Sequence, residues 1–328
     1  MTNILLTGAG FTRNWGGWLA YEVFEYVVSR PEVGQELRQR LWADKAKYRG
    51  FEDTLGDLQQ EVTIGRPRAA EMVTEFMAAL VAMFNEMNEG LATARFETQN
   101  AVQFLVGTFL ARFDYIFTLN QDLLLEHHYL NGNIGLQEHR KFSGWQMPGL
   151  KPVHPTASAY DPAGRHVPVM MPDDPSNFRI SPGQQPYIKL HGSSNWVRQG
   201  GNRLIVLGGG KEIEIRREPL LNWYQTEFVN ALNRQDAHLM IIGYSFSDTY
   251  VNNLICDAAD AGGLNVFIVD PEGVDVLDKW KNRPGIRPKQ TLQERLGPRV
   301  RGASRRPLSA TFGNDPVAHA KLLGFLGS

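Results

Sequence analysis

The sequence predicts an α/β fold, a parallel sheet with helices on both faces, and three observations predict it. The apolar run Ile4 to Leu6 stops abruptly at Gly8-Ala9-Gly10 and is followed by an amphipathic stretch from Trp18. That is the strand, glycine turn and helix order in which α/β proteins hold a phosphate. Four later apolar runs also end on small or polar residues, at Asn120, His191, Gly243 and Asp270. Helical periodicity separates most of these runs, and such alternation marks a parallel, doubly wound sheet.

Asn3 to Trp18 is the stretch around which the chemistry gathers. Gly8 and Gly10 fill the first two positions of G-x-G-x-x-G, but Arg13 stands at the third. The acidic residue that should end a second strand about 20 residues on, to hold a ribose, is missing. In its place Tyr21 to Val28 is helical in pattern and runs into Pro31. The Rossmann-like fingerprint is thus half present, which leaves nucleotide binding and a structural turn both open, with Arg13 facing phosphate or solvent.

Residues 31–95 read as a helical insertion, with Leu37, Leu41, Leu55, Leu58, Met72, Phe76 and Leu80 at three- and four-residue spacings. Phe96 to Arg112 continues as helix. Tyr115 to Leu119 is a second strand, ending in Thr118-Leu119-Asn120-Gln121-Asp122, with a helix from Leu123. Residues 131–186, rich in Pro, Gly and Asp, read as a loop-rich insertion with short strands, a rim or lid.

Tyr187 to Leu190 is a third strand, ending at His191-Gly192, and Val197 to Val206 is a hairpin turning at Gly200-Gly201-Asn202. A strand is expected over Glu212 to Ile215 and a helix around Trp223 to Asn233. His238 to Ile242 is a strand ending in Gly243-Tyr244-Ser245, with Asp248 as N-cap of the next helix, and Val266 to Val269 is a strand ending at Asp270. Residues 279–328 read as a basic C-terminal arm and a terminal helix, Pro316 to Phe325. All of residues 1–328 are expected to form one domain.

The 328 residues, 42% hydrophobic and 21% charged, suit a globular protein with a sizeable core. No apolar run reaches a membrane span, and no basic and apolar leader precedes the first strand, so the cytoplasm is the expected compartment. The single cysteine, Cys256, excludes an internal disulfide and a cysteine-based zinc cage and reads as a buried structural thiol. Net charge is −1, which excludes a polyanion binder as a whole. Yet Lys279 to Arg306 holds ten Lys or Arg residues against Glu294 alone, a nucleic-acid or acidic-partner surface or simply a solvated arm. Glu126, His127 and His128 invite a metal reading, but adjacent histidines on a helix face different ways, and no metal is expected.

In an open parallel sheet ligands bind outside the carboxyl ends of the strands, so Gly8, Asn120, His191, Gly243 and Asp270 should converge on one crevice. At these residues the sequence resembles the sirtuin (SIR2) family, and more closely its bacterial SIR2-like NADase branch of anti-phage defence systems. Gly8-Ala9-Gly10-Phe11-Thr12 resembles the sirtuin GAG-x-S loop, and Thr118 to Asp122 its T-Q-N-I-D. Lys189-Leu190-His191-Gly192 resembles the segment around the catalytic histidine, and Gly243-Tyr244-Ser245 the later G-T-S loop. Two departures disfavour protein deacylation. The four zinc-binding cysteines that usually follow the histidine are absent, with a zinc-free hairpin region from Trp196 to Val206 in that place. Asn14-Trp15-Gly16-Gly17-Trp18 replaces the P-D-F-R stretch.

The resemblance implies NAD as substrate and a set of roles. Asp122 would hold the nicotinamide carboxamide, Asn120 would position ribose and water, and His191 would act as general base or orient the ribose. Gly8, Gly10 and Phe11 would cradle the diphosphate with backbone N–H groups beside Ala9 and Gly243. Thr12 and Ser245 would add hydroxyls, and Asp270 would meet the adenosine ribose or cap a helix. The implied activity is NAD glycohydrolysis in defence by NAD depletion. An NAD-dependent deacylase and an NAD- or ADP-ribose-sensing module acting through a partner are the alternatives. Because the chain ends soon after its core, no fused effector is expected, and control would come from self-assembly or a separate protein. Relatives of this build imply a homo-oligomer and a HerA-like ATPase partner.

Overall fold

A computed structural model describes residues 1–97, 104–130, 141–154, 167–278 and 291–327. The chain opens with β1 (Thr2–Thr7), in which Ile4, Leu5 and Leu6 are wholly buried. A strand covered on both faces reads as a continuous apolar run, which is why the parallel core is legible in the sequence. Then come α1 (Ala9–Arg13), α2 (Ala20–Ser29), α3 (Gln35–Lys45), α4 (Phe51–Thr63) and α5 (Ala69–Ala92). In α5, Met72, Phe76, Leu80, Met83 and Met87 form the buried stripe that packs on α4 and α2.

The expected helix from Phe96 to Arg112 is shorter. Its described helical part is α6 (Val106–Leu110), and residues 98–103 lie outside the described residues. The Glu97 carboxylate accepts from the N–H groups of Val106 (2.6 Å) and Gly107 (2.7 Å), satisfying donors at the start of α6. After β2 (Tyr115–Thr118) the chain passes through a π-helical turn, Glu126–Leu130. Described parts of the loop-rich region contain β3 (Gly144–Gln146), β4 (Leu150–Pro152) and β5 (Met170–Pro172). β6 (Gln184–Lys189) follows, and then β7 (Gly192–Val197) and β8 (Arg203–Ile205) pair antiparallel, so the hairpin begins earlier than expected, at Gly192.

Residues Lys211–Arg217, expected in part as a strand, are helix α7. Ile213 and Ile215 mimic a two-residue alternation, but only Ile215 is buried, and the Glu212–Arg216 pair at 2.7 Å spans one helical turn. Then follow α8 (Pro219–Leu232), β9 (Ala237–Ile242), α9 (Thr249–Ala261), β10 (Leu264–Val269), α10 (Leu292–Leu296), β11 (Val300–Ser304), α11 (Leu308–Thr311) and α12 (Pro316–Phe325). Residues 300–304 fall in the stretch that the sequence reads as a basic C-terminal arm. They are instead an edge strand, hydrogen-bonded to β10.

Among the described residues seven strands form one sheet in the order β11-β10-β9-β1-β2-β6-β3, every neighbouring pair parallel. This is the expected Rossmann-like α/β arrangement. From β1 the chain moves outward through β2 to β6, then returns to the other side of β1 at β9, so the strand order reverses between β1 and β9. Right-handed crossovers in the two directions put the helices before β2 and the pair α8 and α9 on opposite faces. A second, four-stranded sheet runs β4-β5-β7-β8.

The helical layer docks on the loop after the hairpin through backbone contact. Gly56 of α4 lies against Gly208 and Gly209, and a Cβ on Gly56 would stand 2.4 Å from the Gly209 nitrogen. Gly56→Ala is therefore expected to destabilise the fold by about 1–2 kcal/mol in chemical denaturation. That loss would come despite alanine's better helix propensity of ~1 kcal/mol. A stabilised variant would show that α4 does not dock there.

Candidate functional site

The strand register levels the predicted residues along one edge. Thr7, Thr118 and Lys189 are aligned across β1, β2 and β6, and Thr7, Ile242 and Val269 across β1, β9 and β10. Gly8 and Gly243 stand one residue past the strand ends beside the β1/β9 reversal, with Asp270 at the same level on β10, and Asn120 and His191 two residues past. This carboxyl edge is where open α/β sheets bind ligands.

Asn120, Thr12 and Asp122 form a directed chain. The Asn120 amide nitrogen donates to the Gly8 carbonyl at 3.0 Å and to the Thr12 hydroxyl at 2.9 Å. With its one proton, Thr12 then donates to Asp122 Oδ2 at 2.9 Å, while Asp122 Oδ1 accepts from the Leu124 N–H at 3.0 Å. Both Asn120 donors are thus engaged, and among the described residues the amide oxygen accepts no hydrogen bond. Beneath, the Thr7 and Thr118 hydroxyls meet at 2.7 Å, and Thr118 accepts from the Asn120 N–H at 3.0 Å.

The glycine loop holds a partner different from the one expected. The N–H groups of Gly8, Gly10 and Phe11 donate to the carbonyls of Ile242 (3.0 Å), Gly243 (2.9 Å) and Gly8 (2.9 Å), so all three expected phosphate donors are engaged within the protein. The loop after β1 is stacked backbone to backbone on the loop after β9. A Cβ on Gly8 would lie 2.6 Å from the Gly243 oxygen, and one on Gly243, whose φ is +63°, only 2.2 Å from the Phe11 nitrogen. Ala9 is the exposed member of the loop.

His191 belongs to a second cluster. Its ring is buried, with Nε2 3.4 Å from Asp248 Oδ2, and among the described residues neither atom makes a hydrogen bond. Lys211 Nζ stands 3.8 Å from the same oxygen and 2.6 Å from Glu52 Oε2. Burial first, and then the Lys211 charge, push the His191 imidazole down to about 4 against the pull of Asp248, so the ring is neutral at neutral pH. Burial pulls the Lys211 ammonium down too, but Glu52 and Asp248 outweigh it and leave that group above its ordinary value.

Other predicted residues are placed less centrally. Asp270 Oδ1 accepts from the Glu272 N–H at 2.8 Å, a turn of its own making, and Ser245 Oγ donates to Ser247 Oγ at 3.1 Å. Arg13 pairs with Glu22 at 2.7 Å. Cys256 is buried in α9, its thiol pushed up to about 11 by that burial. In the described part of the basic segment, Arg295 pairs with Asp257 and Asp260, Arg305 with Asp275 and Arg306 with Asp315. Lys279 to Lys289 lie outside the described residues.

Two features escaped sequence reasoning. Lys189, wholly buried, donates to Glu126 Oε1 at 2.6 Å and to the Asp122 backbone carbonyl, and Glu126 Oε2 also accepts from the Tyr187 hydroxyl at 3.2 Å. This pair anchors the floor under Asp122. His128 Nε2 contacts the Leu91 carbonyl at 2.6 Å and its ring stacks on Phe96, so neither Glu126 nor His128 turns toward a shared ion. Among the described residues no group of three His, Cys, Asp or Glu side chains is placed to hold a metal. The second feature is the trio Glu52, Lys211 and Asp248, of which only Asp248 gave a signal, as an N-cap.

No curated protein matches the chain. A family model described as the SIR2-like domain matches residues 114–289, just over half of it. The matched segment carries Asn120, Asp122, His191, Gly243, Ser245 and Asp270. With the parallel sheet and its carboxyl-edge cluster, that match identifies the family: the chain belongs to the SIR2-like domain proteins, which use NAD.

Proposed function

We propose that the protein is an NAD glycohydrolase that releases nicotinamide and ADP-ribose, and that it serves anti-phage defence by depleting NAD. The observation that carries this reading is the chain from Asn120 through Thr12 to Asp122, which holds an amide with its oxygen unclaimed at the strand reversal. Cleavage of the bond between nicotinamide and ribose develops oxocarbenium character, so a site for it must fix the ribose and a water with polar groups that need not rearrange. The Asn120 oxygen can accept from a ribose hydroxyl or water, and the Asp122 carboxylate from a carboxamide N–H. His191 supplies a buried, neutral ring whose Nε2 stands 3.4 Å from Asp248 Oδ2. A group titrating near 4 is a weak base at neutral pH, which favours ribose orientation over proton abstraction.

This reading assigns the diphosphate to the edge at Ala9, Gly10 and the Ser245 hydroxyl, and the adenosine ribose to Asp270. The helical layer leaves Trp42, Tyr48 and Ile64 exposed, and the reading assigns homo-oligomer formation to that surface, with a HerA-like ATPase as the external control. The test is chromatography of NAD incubated with the purified chain, alone and beside that ATPase, with an acetyl-lysine peptide in a parallel arm. Nicotinamide and ADP-ribose in equal amounts, with the peptide unchanged, are expected. Nicotinamide formed only with peptide deacetylation would overturn hydrolysis in favour of deacylation.

A further inference from the structure

Asp248 has two oxygens with two tasks. Oδ1 accepts from the Val251 N–H at 3.1 Å and caps α9, which fixes the carboxylate on a rigid element. Among the described residues, Oδ2 is buried without a hydrogen-bond partner and stands 3.4 Å from His191 Nε2, which also makes no hydrogen bond. Two buried polar atoms of complementary kind, 3.4 Å apart, are each costly unless they interact. Within 3.8 Å of the same oxygen is the Nζ of Lys211, the first residue of α7. Its ammonium is held at 2.6 Å by Glu52 of α4, the helix whose Gly56 docks on the Gly208–Gly209 backbone just before it. Among the described residues, the charged groups that face His191 are Asp248 and Lys211, with Glu52 and Asp53 behind Lys211.

We propose that Asp248 is the positioning residue of His191, selecting the tautomer that carries its proton on Nε2. Lys211, seated by Glu52 of the helical layer, is the opposing charge that tunes the pair. The proposal deepens the reading of His191 as a ribose-orienting group and rests on that reading for its link to NAD. In the histidine tautomer with Nε2–H directed at Asp248, Nδ1 is left as an acceptor, so the carboxylate determines which ring atom offers a lone pair. Through α4, the position of the helical layer reaches the same ring.

The test is nitrogen NMR of the full-length protein labelled at histidine, with NAD cleavage followed across pH in parallel. In the wild type, His191 is expected as the Nε2–H tautomer. Asp248→Asn keeps the helix cap but removes the charged acceptor, and is expected to give a mixed tautomer with a raised KM for NAD. Lys211→Met is expected to move the His191 midpoint up by about one pH unit and the acid limb of kcat/KM with it, because a positive neighbour has been removed. Lys211→Arg should leave the midpoint near the wild-type value. An unmoved midpoint in Lys211→Met, or an unchanged tautomer in Asp248→Asn, overturns the proposal whatever happens to NAD. Shifted ring signals in a chain that never cleaves NAD support the pairing and overturn the glycohydrolase reading instead.

Discussion

Asn120→Ala is expected to lower NAD cleavage by at least about 10²–10³-fold, the scale seen when one preorganised polar group is removed from a reacting centre. Loss of the side chain removes one of the two donors to the Gly8 carbonyl, the donor to the Thr12 hydroxyl and the unclaimed oxygen. The residue is half-buried at a loop rather than in the core, so the fold should melt close to the wild type. Asn120→Asp is the sharper test. It is nearly isosteric, yet its acceptor-only carboxylate would face the Gly8 carbonyl and share Thr12 with Asp122, so it should be as inactive as the alanine variant. Cleavage retained in both would remove Asn120 from the mechanism, whereas a collapsed melting curve would place its role in folding.

The largest expected effect on stability is at Lys189. Replacing it with methionine leaves Glu126, 2% exposed, as an unpaired carboxylate, and breaking a buried pair in this manner costs roughly 3–5 kcal/mol. Burial already raises the Glu126 pKa above its ordinary value, against the pull of Lys189, and without the lysine it rises further. A carboxyl whose folded pKa lies above its unfolded one contributes stability that is fully present below the unfolded value, about 4.3. That contribution is lost as pH rises through the folded value. The deficit of Lys189→Met relative to the wild type should therefore be greatest at neutral pH and shrink as pH falls toward 5, measured by urea denaturation. A second change, Glu126→Leu, should recover much of the loss. A deficit independent of pH would mean that packing, not charge, dominates there.

These two residues also mark the limit of what the sequence discloses. The five strands that lead to the site are legible because parallel strands buried on both faces are short unbroken apolar runs, and their polar ends stand out at Asn120, His191 and Asp270. Glu126 and Lys189 are 63 residues apart on different elements, so nothing local marks them as partners, and Glu126 reads as a metal candidate beside two histidines. Strand β11 is hidden because an edge strand with Arg301, Gly302 and Ser304 has neither an apolar run nor a clean alternation. Helix α7 is misread because two isoleucines two apart look the same in a strand and in one turn of helix. The N-cap role of Asp248 is local and was readable, but the aim of its second oxygen depends on Lys211 and His191 folding beside it.

The stacking of the Gly8–Gly10 loop on Gly243 has a consequence for mutational scanning. All three glycines would score as intolerant whether or not they meet NAD, because the added carbon collides with backbone of the other loop. Intolerance at these positions would therefore report the buttressing of one loop by another. Ala9, exposed between them, is the position at which side-chain size can be varied to probe the ligand alone.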